Sequence, residues 1–366
     1  MVSVATLVRP QRAGVRKHVA STVDRTFARA ILKYGGRDAA ERYAADERIA
    51  QLEANVHLFD DPRLVEDPSA FFMPSVAPRD VRERVRSKRG DNLVVDVTWA
   101  SDYDPYVRAP EIRERYERHG LNERAHARIW RKRGGHRPAV VLLHGYLGGV
   151  HMFERYIWPV RSFLRRGFDV ALFVLPFHGA RGAIRRGGMP AFPSSDPRFN
   201  IEGFRQAIHD LRTFVRWLDQ RGATTVGVMG MSLGGYTSAL LSTVEPRLGF
   251  VVPVIPLVSV PAFARERGRL NGTPSQQQRQ YELLERMYRP VSPVARPSVV
   301  DPAGRLVIAG AADRITPVSE AERLAAHFDA PLETFPGSHL VHLGRRGAFT
   351  AIHRMWSEIG VPGARL

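Results

Sequence analysis

The 366-residue sequence contains no cysteine. This absence excludes structural disulfides, a catalytic thiol and any metal site built from thiolates. The chain also contains no run of about 18 consecutive apolar residues, the length that a transmembrane helix needs. Its N-terminus lacks the compact apolar core of a secretory signal. We therefore expect a cytoplasmic protein, with contact to a membrane surface as an open alternative.

Lysine is scarce, since it accounts for only four of the 54 basic residues and the rest are arginine. The formal net charge is +17, which raises the question of a nucleic-acid partner. The arginines are spread along the chain and often alternate with glutamate, and no basic motif with interleaved aromatic residues is present. We expect nonspecific attraction to anionic surfaces and no specific nucleic-acid binding.

Metal and nucleotide motifs are also missing. None of the thirteen histidines belongs to an H-E-x-x-H motif or another spacing typical of metal ligands. The glycines form neither a G-x-G-x-x-G fingerprint nor a phosphate-binding P-loop. The sequence therefore predicts a reaction that needs neither a metal nor another cofactor.

The second half of the chain alternates short apolar runs with amphipathic stretches, starting at about residue 138. This alternation is typical of an α/β fold with a mostly parallel central sheet flanked by helices. Apolar residues at helical spacing from Phe204 to Leu218 predict a long helix before the third strand. The predicted strands are Ala139 to Leu143, Val170 to Leu175, Thr225 to Met229, Val251 to Ile255 and Leu306 to Ala309.

The organisation predicted from these patterns has two parts. Residues 1–90 read as an N-terminal helical extension, and residues 91–366 as the α/β domain, whose antiparallel edge is formed by strands near 93–99 and 127–130. Residues 257–300 interrupt the strand rhythm and are the candidate cap above the sheet. Basic residues with an apolar stripe in residues 9–37 predict either docking on the parent domain or peripheral contact with an anionic membrane.

The motif Gly230-Met231-Ser232-Leu233-Gly234 follows an apolar run and opens a stretch of small residues. A strand that turns this sharply into a helix needs small residues on either side of the turn, and Gly230 and Gly234 supply them. The serine hydroxyl is then exposed above a helix N-terminus. The pattern predicts a nucleophile elbow with Ser232 as the nucleophile.

A serine hydroxyl needs an imidazole to take its proton and a carboxylate to orient that imidazole. Asp313 and His339 each lie in a loop just after a predicted strand, where they can converge with Ser232 at one edge of the sheet. Asp301 and Glu333 compete with Asp313 as the acid but lie before or within a strand. His342 competes with His339 but is expected on the following helix.

The apolar strand Val140 to Leu143 runs into the glycine-rich loop His144-Gly145-Tyr146-Leu147-Gly148-Gly149. We expect the backbone N–H groups of Leu233 and Tyr146 to form the oxyanion hole, and His144 and Gly145 to support the loop. His178 is expected either to contact the substrate or to cap a loop.

Together these motifs, in the chain order Ser, Asp, His, resemble the α/β-hydrolase superfamily over roughly residues 90–360. The stretch Pro176-Phe177-His178-Gly179 is similar to one in dienelactone-hydrolase-like esterases. The resemblance implies serine-dependent acyl transfer, and we predict a serine esterase acting on a small-molecule or lipid ester. The alternatives are an acyltransferase, a lipid esterase or an amide or peptide hydrolase on the same residues, and a non-catalytic binding module with this fold.

Overall fold

The computed structural model describes residue 24 and residues 44–134, 136–182, 188–342 and 344–361. Strands in these residues are β1 (Arg79–Arg89), β2 (Asn92–Ala100), β3 (Arg124–Lys132), β4 (Ala139–Leu143), β5 (Asp169–Val174), β6 (Val226–Met231), β7 (Leu248–Val254), β8 (Val307–Gly310) and β9 (Leu332–Phe335). Helices are α1 (Ala45–Val56), α2 (Arg63–Glu66), α3 (Pro110–Glu117), α4 (His151–Ile157), α5 (Val160–Arg165), α6 (Pro197–Gln220), α7 (Leu233–Ser242), α8 (Val260–Glu266), α9 (Pro274–Tyr288), α10 (Val318–Phe328) and α11 (Arg346–Glu358).

The described strands form one sheet in the order β1-β2-β3-β5-β4-β6-β7-β8-β9. Strands β4 to β9 run parallel to their neighbours among themselves, whereas β1, β2 and β3 are antiparallel and β3 joins the parallel part by pairing with β5. The predicted α/β-hydrolase fold, with a mostly parallel sheet and an antiparallel edge, is confirmed.

The parallel strands β4 to β8 are largely buried on both faces, which explains why they read as apolar runs. In β4, Val141 and Leu143 pack in the same core as α6 and α7. Val140 and Leu142 point to the opposite face, where α5 and α11 cover them. The predicted helix at 204–218 is α6, and it extends from Pro197 to Gln220.

The assignment of residues 1–90 to a helical extension is wrong at its C-terminal end, because β1 lies there and pairs along β2. Every residue of β1 is exposed, so neither face of this edge strand needs apolar side chains. Its sequence therefore lacks the alternation that reveals a half-buried strand. The sheet begins at Arg79, whereas the helices α1 and α2 lie in this region as expected.

The N-terminal helix α1 packs against α9, which lies in the predicted cap segment 257–300. Ion pairs join the two regions at Glu53 and Arg279, 2.6 Å apart, and at Asp60 and Arg286, 2.5 Å apart. The N-terminal region and the insertion therefore form one layer. The apolar stripe predicted in residues 9–37 lies outside the described residues, which in this segment comprise Asp24 alone.

Candidate functional site

The turn between β6 and α7 has the geometry expected of a nucleophile elbow. Ser232 has φ 55° and ψ −112°, a strained conformation for a residue with a side chain. A Cβ atom added to Gly230 would overlap the backbone carbonyl of Gly234, and one added to Gly234 would overlap that of Leu143. The two glycines therefore permit the close approach of strand, helix and neighbouring strand that leaves Ser232 at the turn.

Asp313 and His339 lie together at the carboxyl edge of the sheet. The Nδ1 atom of His339 is 2.8 Å from Oδ2 of Asp313, and both side chains are buried. The other carboxylate oxygen of Asp313 accepts hydrogen bonds from the backbone N–H groups of Ile315 and Thr316, at 2.7 and 2.8 Å. The carboxylate is therefore fixed in orientation, and it holds the imidazole with the proton on Nδ1.

Thr316 links this pair to the elbow, and sequence reasoning missed it. Its hydroxyl lies 3.0 Å from Oδ2 of Asp313, 3.1 Å from Nδ1 of His339 and 3.0 Å from the carbonyl oxygen of Ile255. The preceding carbonyl, that of Val254, accepts the backbone N–H of Ser232 at 3.1 Å. Two successive carbonyls at the end of β7 thus hold the serine turn and the Asp–His pair side by side.

The competing residues occupy other environments. Asp301 is exposed and accepts the backbone N–H of Ala303. Glu333 forms an ion pair with Arg354 at 3.0 Å. His342 donates from Nε2 to the carbonyl oxygen of His339, and desolvation lowers its pKa. In the described structure, neither Asp301 nor Glu333 is hydrogen-bonded to His339, and His342 is not hydrogen-bonded to the Asp313 side chain.

The glycine-rich loop after β4 lies against Ser232. A Cβ atom added to Gly145 would be 3.5 Å from the Cβ of Ser232. His144 accepts the N–H of Leu175 on Nε2 at 3.1 Å, so its Nδ1 carries the proton and donates to the carbonyl oxygen of Gly145 at 2.8 Å. Burial lowers the pKa of His144 to about 4, so it is neutral. His144 braces the loop, as expected.

The proposed oxyanion donors border this junction. Leu233 is the first residue of α7, so its N–H has no acceptor within the helix. Tyr146 follows Gly145 in the loop. Leu233 is therefore next to Ser232 in the chain, and Tyr146 follows Gly145, which lies against Ser232. The role of both residues as oxyanion donors stays a prediction.

Glu154 is a second group that sequence reasoning missed. It lies in α4, is 4% exposed and accepts the N–H of Gly149 on Oε1 at 3.0 Å. Burial raises the pKa of this carboxyl to about 7. A glutamate in a short amphipathic helix ordinarily faces water, so the sequence carries no signal for its burial under the glycine loop.

His178 is completely buried, which excludes direct contact with a substrate in this conformation. Its Nδ1 donates to the carbonyl oxygen of Pro176 at 2.8 Å, and burial lowers its pKa. Its ring lies 5.0 Å from that of His144 and 6.0 Å from that of Tyr146, measured between centroids. Of the two expected roles, loop support is the one that fits.

The segment 257–300 reaches both halves of the site. Leu257 donates its N–H to the carbonyl oxygen of Ser232 at 3.2 Å. Arg267, just after α8, donates to the carbonyl oxygens of Arg314 and Ile315 at 2.5 and 2.9 Å. The insertion therefore rests on the nucleophile turn and on the Asp313 loop, a position consistent with a cap.

Two further properties concern the described residues as a whole. They contain no group of three or more histidine, aspartate or glutamate side chains arranged to hold a metal ion. No helix among them has the length and hydropathy needed to cross a bilayer.

Comparison with known proteins gives a family match. A model described as the alpha/beta hydrolase family matches residues 140–352. This range contains the glycine loop, the Ser232 elbow, Asp313 and His339. It contains neither the N-terminal region nor strands β1 to β3.

The chain is also similar to individual proteins. It is 28% identical over 325 residues to the uncharacterized protein Rv2627c of Mycobacterium tuberculosis (strain ATCC 25618 / H37Rv), covering 84% of this chain and 75% of that one. Acetyl xylan esterase 1 from Thermoanaerobacterium sp. JW/SL YS485 superposes with a TM-score of 0.57 at 16% identity, covering 84% of this chain and 94% of that chain. The acetyl xylan esterase from Paenibacillus sp. R4 gives 0.55 at 15% identity, covering 82% and 93%. At these identities the two structures show a shared fold alone.

Proposed function

Because the chain belongs to the alpha/beta hydrolase family, we propose that it is a serine esterase that cleaves a carboxylic ester. Ser232 attacks the acyl carbon and its proton passes to Nε2 of His339. The imidazolium then protonates the leaving alcohol as the ester C–O bond breaks, which leaves an acyl-serine. Water repeats the cycle and releases the carboxylic acid.

The observation that carries this proposal is the hydrogen bond between His339 Nδ1 and Asp313 Oδ2 at 2.8 Å. It leaves Nε2 of His339 as the free base, because the Nδ1 proton is committed to Asp313. The Thr316 bridge to the end of β7 supports the placement of this base next to the Ser232 turn.

The oxyanion of the tetrahedral intermediate is assigned to the N–H groups of Leu233 and Tyr146. Backbone donors that are fixed before the reaction stabilise charge without reorganisation, and one such donor contributes about 3 kcal/mol. The position of Gly145 against Ser232 supports this assignment, because Tyr146 is the next residue in the same loop.

The test compares the wild-type protein with Ser232→Ala and with the control Ser242→Ala, which changes the buried serine at the last position of α7. Each is treated with a fluorophosphonate probe, which labels activated serines, and then assayed on p-nitrophenyl esters from acetyl upward. We expect labelling and hydrolysis by the wild type and Ser242→Ala. Loss of Ser232 is expected to lower kcat by about 1,000-fold or more.

The panel also separates the lipid-ester, amide and non-catalytic alternatives. A preference for short acyl chains would indicate a small acyl pocket, and a preference for long chains a lipid ester. Hydrolysis of p-nitroanilides at a higher kcat/KM than esters would overturn the ester assignment in favour of an amide. Folded wild-type protein that neither labels nor hydrolyses any substrate would favour a non-catalytic binding module or a closed cap.

A further inference from the structure

Asp24, in the N-terminal region of the chain, lies against the loops of Asp313 and His339 in the candidate site. Its side chain is fully buried. Oδ1 accepts the hydroxyl of Ser338 at 2.8 Å and the N–H of Leu340 at 3.1 Å, and Oδ2 accepts the N–H of His339 at 2.9 Å and that of Arg314 at 3.2 Å. The carboxylate therefore has four donors, all from the loops of Asp313 and His339.

These donors include three backbone N–H groups, which would be left without this acceptor if the Asp24 side chain were removed. Buried backbone donors in native proteins are almost always paired. The N–H groups of the Asp313 loop are divided between two carboxylates, since that of Arg314 goes to Asp24 and those of Ile315 and Thr316 go to Asp313 itself. Oδ2 of Asp24 accepts both the backbone N–H of Arg314 and that of His339.

We propose that Asp24 is a positioning residue that holds the loops of Asp313 and His339 at a fixed separation. A single rigid acceptor shared by both loops fixes the separation between them, and so fixes the 2.8 Å hydrogen bond on which the imidazole orientation depends. The inference rests on the proposed esterase function for its kinetic consequence. It makes the activity of this chain dependent on an N-terminal segment outside the residues that the family model matches.

The experiment uses the full-length chain with Asp24→Ala, Asp24→Asn and the control Asp46→Asn. Asp46 is an exposed acid of the same region that contacts Gln276 in the insertion and touches neither catalytic loop. For each protein kcat and KM are measured on the best ester of the panel. The concentration of active sites is titrated with the fluorophosphonate probe, and thermal unfolding checks that each variant is folded.

We expect Asp24→Ala to lower kcat per titrated site by about 10- to 100-fold, because displacing a catalytic group by about 1 Å can cost 100-fold. KM should change by less than about twofold, since Asp24 does not face the acyl group in this proposal. Asp24→Asn should be intermediate, because its amide keeps one acceptor oxygen but places a donor against backbone N–H groups. Asp46→Asn should match the wild type.

A second readout needs no substrate. The proton that His339 Nδ1 donates to Asp313 is expected to give a low-field proton NMR signal, which can be assigned by its loss in His339→Gln. We expect this signal to shift or broaden in Asp24→Ala and to be unchanged in Asp46→Asn. If the wild type hydrolyses nothing, the esterase proposal fails while this signal still tests the positioning role. Folded Asp24→Ala with an unchanged signal, or with kcat per site within twofold of an active wild type, would overturn the inference.

Discussion

The two sides of the site beside Ser232, the Asp313 and His339 loops on one side and the glycine-rich loop on the other, hold their polar groups by different means. On one side, the carboxylates of Asp313 and Asp24 accept several hydrogen bonds each. Asp313 accepts from its own loop and from His339, and Asp24 accepts from residues about 290 or more positions along the chain. On the other side, His144 and Glu154 lie under closely packed glycines, and burial favours their neutral forms. The first side should therefore be sensitive to the loss of one hydrogen bond, and the second to added volume and to pH.

The largest effect is expected from Asp313→Asn, which keeps the shape of the side chain. The asparagine amide can donate to Nδ1 of His339, and the imidazole proton then moves to Nε2, where it blocks the base. In a serine triad this wrong tautomer lowers kcat by about 1,000- to 10,000-fold. The measurement is kcat on the best ester, with thermal unfolding to check the fold.

Asp301→Asn and Glu333→Gln are the matched controls for that change. Neither carboxylate is hydrogen-bonded to His339 in the described structure, and both are at the surface. Their kcat values are expected to lie within about twofold of the wild type. A large loss in either variant together with a normal Asp313→Asn protein would reassign the acid.

The next effect is a pH dependence of stability that originates at Glu154. Its folded-state pKa of about 7 lies above the ordinary value of 4.5. The stabilisation is therefore fully present below pH 4.5 and is lost as the pH rises through about 7, by about 3 kcal/mol in total at 1.36 kcal/mol per pKa unit. Glu154→Gln keeps a neutral side chain and an acceptor for the N–H of Gly149. The part of the pH dependence of stability that comes from Glu154 should therefore disappear in this variant.

Denaturant unfolding at pH 5 and pH 8 measures this slope for both proteins. Asp169→Asn serves as a positive control outside the site, because burial also raises the pKa of Asp169, to about 6, and this carboxyl lies at the opposite end of the strands. It should reduce the slope and leave kcat unchanged at both pH values. Equal slopes for the wild type and Glu154→Gln would show that Glu154 is not a buried neutral acid.

A smaller effect is expected from added volume in the glycine loop. In Gly148→Ala the new Cβ would lie 2.6 Å from Oε1 of Glu154 and 2.7 Å from the Cβ of His144. Both neighbours are buried, so the loop has to shift, and we expect kcat to fall by about 10- to 100-fold as the oxyanion donors move. Gly347→Ala in α11, where a new Cβ meets nothing within 4 Å, should have wild-type kcat. Wild-type kcat in Gly148→Ala would contradict a rigid loop.

The comparison also shows which parts of the site a sequence can reveal. The Ser232 elbow is predictable because glycine spacing is a local steric requirement, and Asp313 and His339 are predictable because strand ends are visible as the ends of apolar runs. Strand β1 is not predictable in this way, because an edge strand exposed on both faces has no apolar pattern. Its pairing with β2 depends on backbone hydrogen bonds, which do not require apolar side chains.

Asp24 and Glu154 were not predictable for a different reason. The hydrogen-bond partners of Asp24 lie 290 residues or more further along the chain, and no local sequence pattern encodes a contact at that separation. Glu154 is only five residues from Gly149, but its burial depends on how α4 packs beneath the loop. Thr316 is the case that sequence reasoning could have found, because an aspartate that accepts N–H groups two and three residues ahead forms a recognisable turn.

The smallest effect is expected from Thr316→Val, which replaces the hydroxyl by a methyl group of similar size. The carbonyl oxygen of Ile255 and the Asp313–His339 pair then lose a common partner, while the Thr316 backbone N–H still binds Asp313. Loss of one buried hydrogen bond costs about 1 to 1.5 kcal/mol, so kcat/KM should fall by about tenfold. Thr350→Val, which removes an exposed hydroxyl bound to the carbonyl oxygen of Arg346, is the control and should keep its kcat/KM. Equal kcat/KM in the two variants would mean that the Thr316 hydroxyl is not needed to hold the Asp313–His339 pair beside the serine turn. The placement of the pair would then depend on the backbone and on the hydrogen bonds of Asp24 and Asp313.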